Sequence, residues 1–194
     1  MGADDRINRL PGPFRPVVRG VLAAIRTGYR LRYPRTLTYG HSVVIVGRLK
    51  IQEGTRVVLG DRVRVRGRVI INGGGVVTIG ADTLLNGCWI GGRTSVTVGA
   101  GCLISDCDIT DSDFHNLEPS LRHQPPDERT QRPVHLGDNV WVGAHAMVLK
   151  GSTVGRDSVV GAGAVVRGEV PTGVVVVGNP AKVVKHLTAD GSPE

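Results

Sequence analysis

Across residues 134–166 an aliphatic side chain returns at every sixth position, as Leu136, Val142, Val148, Val154, Val160 and Val166. Two places before each stands a small or short residue: Val134, Val140, Ala146, Ser152, Ser158 and Ala164. A period of six matches neither the alternation of an isolated strand nor the 3.6-residue turn of a helix. On a helix these residues would scatter around the circumference. A short strand and a turn per six residues places them all on one inner wall. The pattern therefore predicts an all-β solenoid, a parallel β-helix. Glycine follows four of the anchors, at Gly137, Gly143, Gly155 and Gly161, and marks turns where φ becomes positive or backbones approach closely.

The same rhythm runs back to Tyr39 if each coil carries a small insertion at one corner. Anchors fall at Tyr39, Ile45, Ile51, Leu59, Val65, Ile71, Ile79, Leu85, Ile90, Val98, Ile104 and Thr110, so that 16 of 18 are aliphatic. The ten-residue segments starting at 51, 71 and 90 (IQEGTRVVLG, INGGGVVTIG, IGGRTSVTVG) superpose. Coils of about 20, 20 and 19 residues, then 18 each after a break, make six coils. The break is the stretch 111–133, DSDFHNLEPSLRHQPPDERTQRP, which has proline, charge and histidine but no repeat. A loop of this length in a compact repeat is uncommon and often functional. Val174–Gly178 reads as a last strand, and KVVKHL as a short closing helix.

Residues 1–38 differ in kind. Eight arginines against Asp4 and Asp5 place six of the chain's seven formal positive charges there. Residues from about Val17 to Arg32 suit a helix with Val18, Leu22, Ile25 and Tyr29 on one side,. Such a helix would cap the open end of the solenoid, or present a basic surface to anionic lipid as a peripheral membrane contact. Nucleic acid is disfavoured, because no base-stacking aromatics accompany the arginines. Glycine is high at 28 and aromatics are only 4%, as a narrow aliphatic interior requires. Cys88, Cys102 and Cys107 are odd in number and form no CxxC pair, so reduced thiols and a cytoplasmic protein are expected. No signal pattern or membrane-length apolar run occurs in the sequence,. The reading divides the chain into a basic N-terminal segment (1–38), a β-helix domain (39–178) with a projecting loop (111–133), and a C-terminal segment and tail (179–194).

The repeat, the DSDFH stretch, the phrases PVHLGDNVWVGAHAMVLKGSTVG and VVGAGAVV, and the late VGNPAKVVK together resemble the hexapeptide-repeat acyltransferases of the left-handed parallel β-helix class. Within that class the chain is most similar to the maltose and galactoside acetyltransferases and the polysaccharide O-acetyltransferases. The resemblance implies acetyl-CoA as acyl donor, no metal, and a homotrimer whose sites lie between subunits.

Acyl transfer from a thioester to a hydroxyl or amine needs a base for the acceptor's proton, and histidine suits that role near neutral pH. His41, His115, His123, His135, His145 and His186 compete. His135 and His145 sit beside anchors and are expected to face outward. His115 ends DSDFH at the root of the long loop, where the resemblance places the base, and His123 is its rival. Asp113, with Asp111 and Glu118 as alternatives, is a candidate to orient the imidazole. Asn86, in LLNGCW, resembles an asparagine that holds the acceptor, and Asp111 is a second candidate substrate contact. On the donor side the resemblance implies Trp141 as a wall for the pantetheine arm and the amides of Gly143 and Ala144 near the thioester, with Ala144 aimed at the developing oxyanion. It implies Ala162 further along, and Lys182 and Lys185 against the coenzyme phosphates. Arg167 stands one residue from where relatives carry a further lysine.

An O-acetyltransferase on a saccharide, glycoside or similar small acceptor is the first reading. N-acetylation of an amino sugar or sugar nucleotide is the second, and a non-catalytic scaffold the third. A serine acetyltransferase is disfavoured by the short segment ahead of the repeat. A zinc carbonic anhydrase of the same fold is disfavoured by the missing paired-histidine motif.

Overall fold

The computed structural model describes residues 11–188. Helix α1, Phe14–Arg32, leads into a solenoid whose strands stack in three parallel sheets, called here faces A, B and C. The first coil supplies Leu37–Tyr39 to face A, Val44–Ile45 to face B and Arg48–Ile51 to face C. Six complete coils follow this plan, and Glu169–Val170 and Val174–Val177 begin a seventh that the period alone did not count. The helix expected at KVVKHL is instead a strand, Lys182–His186, which runs antiparallel to Val174–Val177 and closes face B. Its Val183 and Val184 favour a strand, and the exposed edge of the last coil offers a hydrogen-bonding template.

Strand registers set the coil length at 20 residues from Leu37 to Val57 and from Val57 to Val77, at 19 from Val77 to Val96, and at 18 from His135 to Thr153. Anchors and the small residues two places before them are both buried, as in Val134 with Leu136 and Ser158 with Val160. One anchor shifts by a residue. Ile109, not Thr110, stacks between Ile90 and Val148, because the fourth coil, like the third, has only five residues from its face B anchor to its face C anchor.

Of the two explanations for the post-anchor glycines, close approach holds. A Cβ on Gly137, Gly143, Gly155 or Gly161 would meet the next coil at 2.8, 3.0, 2.5 and 2.7 Å, whereas positive φ occurs two places further on, at Asn139, His145, Asp157 and Gly163.

Helix α1 lies across the first coil. The Tyr29 and Tyr33 hydroxyls accept from the Leu49 and Ile51 N–H groups at 3.1 and 3.3 Å, and the Tyr39 hydroxyl donates to Arg26 O. These contacts satisfy backbone donors that the first strand of face C would leave open. Among the described residues no helix is long and apolar enough to cross a membrane.

Candidate functional site

Every insertion falls at the corner between faces C and A, where Gln52–Thr55, Gly73–Gly75 and Gly92–Thr94 precede the long loop. The loop is pinned where it leaves the fourth coil. Asp111 is fully buried and accepts from Arg93 N, Thr94 N and Thr94 Oγ1 at 2.7, 2.7 and 2.8 Å. Its carboxylate is thereby committed to the preceding corner and buried away from the surface where an acceptor contact was expected. Backbone bonds from Asp113 N to Thr130 O and from Arg132 N to Asp111 O then tie outgoing to returning chain.

Asp113 does not orient His115. It forms an ion pair with Lys150 of the next coil, and the same ammonium donates to Arg129 O at 3.1 Å. That pair clamps the returning arm of the loop to the solenoid. Further out, Asn116 is buried and donates to Leu121, Gln124 and Pro125 carbonyls while accepting from Asp127 N. One side chain thus gathers the loop tip, a role its place beside His115 did not announce.

His115 is exposed. Its neighbour Phe114 has φ +64, in the left-handed region that a bulky residue adopts only under constraint,. The Phe114 ring rests 5.6 Å from the ring of Trp89 on the outward side of face C, and Phe114 N donates to Ser112 Oγ. The pair anchors the loop root to the sheet, and the His115 imidazole at the C–A corner has no hydrogen-bond partner among the described residues. His123 is also exposed, beyond the first short 3-10 turn Pro119–Leu121.

The remaining candidates collect elsewhere. At the corner between faces B and C, bonds from Asp106 N to Asn86 O, His145 N to Asp106 O and Gly163 N to Ala144 O stack successive coils at 2.7–2.9 Å. Asn86, Gly143, Ala144 and Ala162 therefore lie along one edge. The Asn86 amide reaches Asp106 Oδ2 at 3.4 Å, a partner that the repeat pattern did not flag. Gly143 N–H is committed to Val160 O at 2.8 Å, so it walls the corner and offers no donor; the Ala144 N–H has no hydrogen-bond partner among the described residues.

Trp141 stands on the adjoining face B, 51% exposed, in a column running Leu84, Leu103, Trp141, Val159, Val175 and Lys185. Lys182 pairs with the outward-facing Val177, so a bulge in the closing strand presents both lysines on the same side. Arg167 does not join them: it follows Val165–Val166 at the C–A corner. His135 and His145 are exposed, as alternation predicts.

The chain thus holds two groups of candidates separated by the width of face C. His115, Asp113 and Arg167 lie at the C–A edge, and Asn86, Ala144, Ala162, Trp141, Lys182 and Lys185 on face B and the B–C edge. Outward columns differ in kind. Face A shows Thr38, Val58, Thr78, Thr97, His135, Thr153 and Glu169. On faces B and C the first two coils show Arg48, Lys50, Arg64 and Arg68, and the later coils show apolar side chains, among them Leu103 (42% exposed), Trp141 and Met147 (37%).

Residues 133–168 match the family described as Bacterial transferase hexapeptide (six repeats). A probable acetyltransferase of Mycobacterium tuberculosis is 31% identical over 170 residues, covering 81% of this chain and 54% of its own. A putative lipopolysaccharide biosynthesis O-acetyl transferase of Escherichia coli is 43% identical over 98 residues, 47% of this chain and 50% of its own. The chain spans about half the length of these relatives. Among solved structures, an N-acyltransferase from Bacillus cereus, in complex with dTDP and coenzyme A, superposes with a TM-score of 0.69 at 21% identity, covering 82% of this chain and 89% of that one. Residues 133–168 thus carry a hexapeptide transferase repeat, and the chain is similar in sequence to acetyltransferases and in fold to an N-acyltransferase.

Proposed function

We propose that the protein is an acyl-CoA-dependent O-acetyltransferase that moves an acetyl group from acetyl-CoA to a hydroxyl of a saccharide, glycoside or similar acceptor. In this reading His115 takes the proton of the acceptor hydroxyl as its oxygen attacks the thioester carbonyl. The Ala144 N–H faces the oxygen on which negative charge develops, where such a donor is worth about 3–4 kcal/mol. The tetrahedral centre then expels the thiolate, and the proton held by His115 passes to the leaving sulfur. Trp141 walls the donor arm, with Lys182 and Lys185 at the phosphates and Asn86 at the acceptor.

The observation that carries this reading is the separation of the two candidate groups, with the Ala144 N–H on one edge and the His115 imidazole on the other. Within one chain His115 lies across face C from the Ala144 amide, and the histidine on the amide's own edge is His145. Two copies, set with the C–A edge of one against the B–C edge of the next, would bring His115 and the Ala144 amide face to face, and a ring of three closes the arrangement. The apolar side chains of the later coils on faces B and C supply surface for such contacts. The similarity to an O-acetyl transferase of lipopolysaccharide biosynthesis favours a saccharide hydroxyl. N-acylation of an amino sugar is the second reading, favoured by the likeness to an N-acyltransferase structure, since the same base serves an amine.

Calorimetric titration with acetyl-CoA, with a mass measurement on the same sample, tests this reading. Binding at one site per chain in a trimer is expected. A monomer, or no binding, would contradict it. Turnover with sugars against amino sugars then separates O- from N-transfer.

A further inference from the structure

Between helix α1 and the first two coils of face C lies a cavity of about 550 Å³, within the size range of small-ligand pockets. Arg32, Tyr29 and Tyr33 line it from the helix, Arg48 and Lys50 from the first coil, and Arg68 from the second. No carboxylate of the described residues lines it. Among the described residues none of Arg48, Lys50 and Arg68 has an ion-pair partner. Arg48 and Arg68 are directly opposite in the strand register, about 4.8 Å apart,, and the Arg32 guanidinium lies 5.6 Å from the Tyr33 ring centre. The tyrosine hydroxyls accept from Leu49 and Ile51 N–H groups, so their own protons remain available to donate.

Such a cluster is rich in donors and poor in acceptors. Four cations lining one cavity repel one another unless an anion joins them,. One phosphoryl group carries about −1.5 to −2 charges and leaves the cluster under-neutralised; two joined groups match it. We propose that this cavity binds a diphosphate, and that the acceptor of the reaction proposed above is a saccharide carried on one.

Placement supports the link. Along face C the column runs Lys50, Ile70, Trp89 and Asp108, one strand per coil. From Arg68 to the coil that launches the long loop is two strand spacings, about 10 Å. A sugar tethered in the cavity therefore extends over Ile70 and Trp89 towards Phe114 and His115. On its exposed side helix α1 carries Phe14 (60% exposed), Val17 (62%) and Val21 (54%) at spacings of three and four. That stripe suits a membrane surface, so the diphosphate has two possible sources, a soluble nucleoside diphosphate sugar or a lipid-linked sugar.

The inference rests on the acyltransferase reading for its acceptor role, and the test keeps the two apart. The full chain is titrated with inorganic pyrophosphate and, separately, with acetyl-CoA, beside an Arg48→Glu/Arg68→Glu variant and its neutral counterpart Arg48→Gln/Arg68→Gln. Saturable pyrophosphate binding is expected, weakened at least tenfold in both variants, with acetyl-CoA affinity and melting temperature unchanged. No pyrophosphate binding, or equal binding by the folded variants, would overturn the site while leaving the acyltransferase reading intact. Loss of acetyl-CoA binding alone in the wild type would overturn that reading and leave the site. Competition by uridine diphosphate points to the soluble source. Capture by phosphatidylcholine vesicles bearing a polyprenyl diphosphate, reversed by pyrophosphate, points to the lipid source. Equal capture by phosphatidylglycerol vesicles, insensitive to pyrophosphate, would count against a diphosphate site.

Discussion

Replacing Asp111 by alanine tests how the loop is built. The carboxylate is fully buried and accepts from two backbone N–H groups and the Thr94 hydroxyl. The hydroxyl can rotate to another acceptor, but the two amides cannot. Each hydrogen bond to a charged group contributes about 1.5–3 kcal/mol and the two amide bonds are part-buried, so Asp111→Ala should lose about 3–5 kcal/mol, a large part of the 5–15 kcal/mol typical of a domain. Asp111→Asn keeps one acceptor oxygen and should lose about half as much. Urea denaturation followed by circular dichroism reads the loss in stability. Tryptophan fluorescence in a Trp141→Phe background reads loosening of the Trp89–Phe114 contact at the loop root. Acetyl-CoA affinity should stay within about twofold, because the side chain does not reach the surface. Unchanged stability together with a raised acceptor KM would refute this and return Asp111 to the acceptor site.

Other consequences are as direct. His115→Ala should lower kcat by about 10²–10⁴-fold with acetyl-CoA affinity nearly unchanged; retained turnover in steady-state assays would move the base to His123. Replacing Lys182 and Lys185 together with alanine should weaken acetyl-CoA binding by calorimetry, and unchanged affinity would contradict the phosphate assignment. Burial pushes the Cys88 and Cys102 thiols up and Cys107 up to about 12, where the nearby Asp108 and Asp106 carboxylates add to it. Raised thiol pKa values leave little thiolate at pH 8, so iodoacetamide should spare all three free cysteines of the native protein and label them in urea,. Rapid labelling of the native protein, read by mass spectrometry, would contradict their burial.

Much of the fold was legible because the six-residue period is a packing rule. Each anchor must face inward in every coil, so the aliphatic positions give the register, the faces and the common corner of the insertions. Where packing ceases to dictate, legibility ends. The closing segment Lys182–His186 has no inward face, all five residues being exposed, and its strand pairing depends on an open sheet edge that no local pattern reveals. Ile109 and not Thr110 holds the anchor position because the step from the face B anchor Ile104 is five residues, which a strict six-residue period does not show. In the loop the residues were visible but their partners were not. Asp111 and Asp113 look alike in DSDFH, yet one binds the backbone of the previous coil and the other a lysine of the next. Those partners lie 17 to 37 residues away, and only the coiling brings them close. The Ala144 amide was legible through the resemblance, and its lack of a partner only from the hydrogen-bond pattern.

In the function proposed above, one catalytic site is assembled from two copies of the chain. Mixing two inactive variants tests it most directly. His115→Ala removes the base from the C–A edge, and Ala162→Arg blocks the B–C edge, where Ala162 is exposed. The two are unfolded together, refolded at equal amounts, and shown by native mass spectrometry to form mixed oligomers. In random rings about one interface in four joins an intact loop to an intact groove. Recovery of about a quarter of wild-type activity is expected on that pairing statistic. Mixed oligomers with no more activity than either parent would show that base and groove belong to a single chain, and would contradict a site shared between copies.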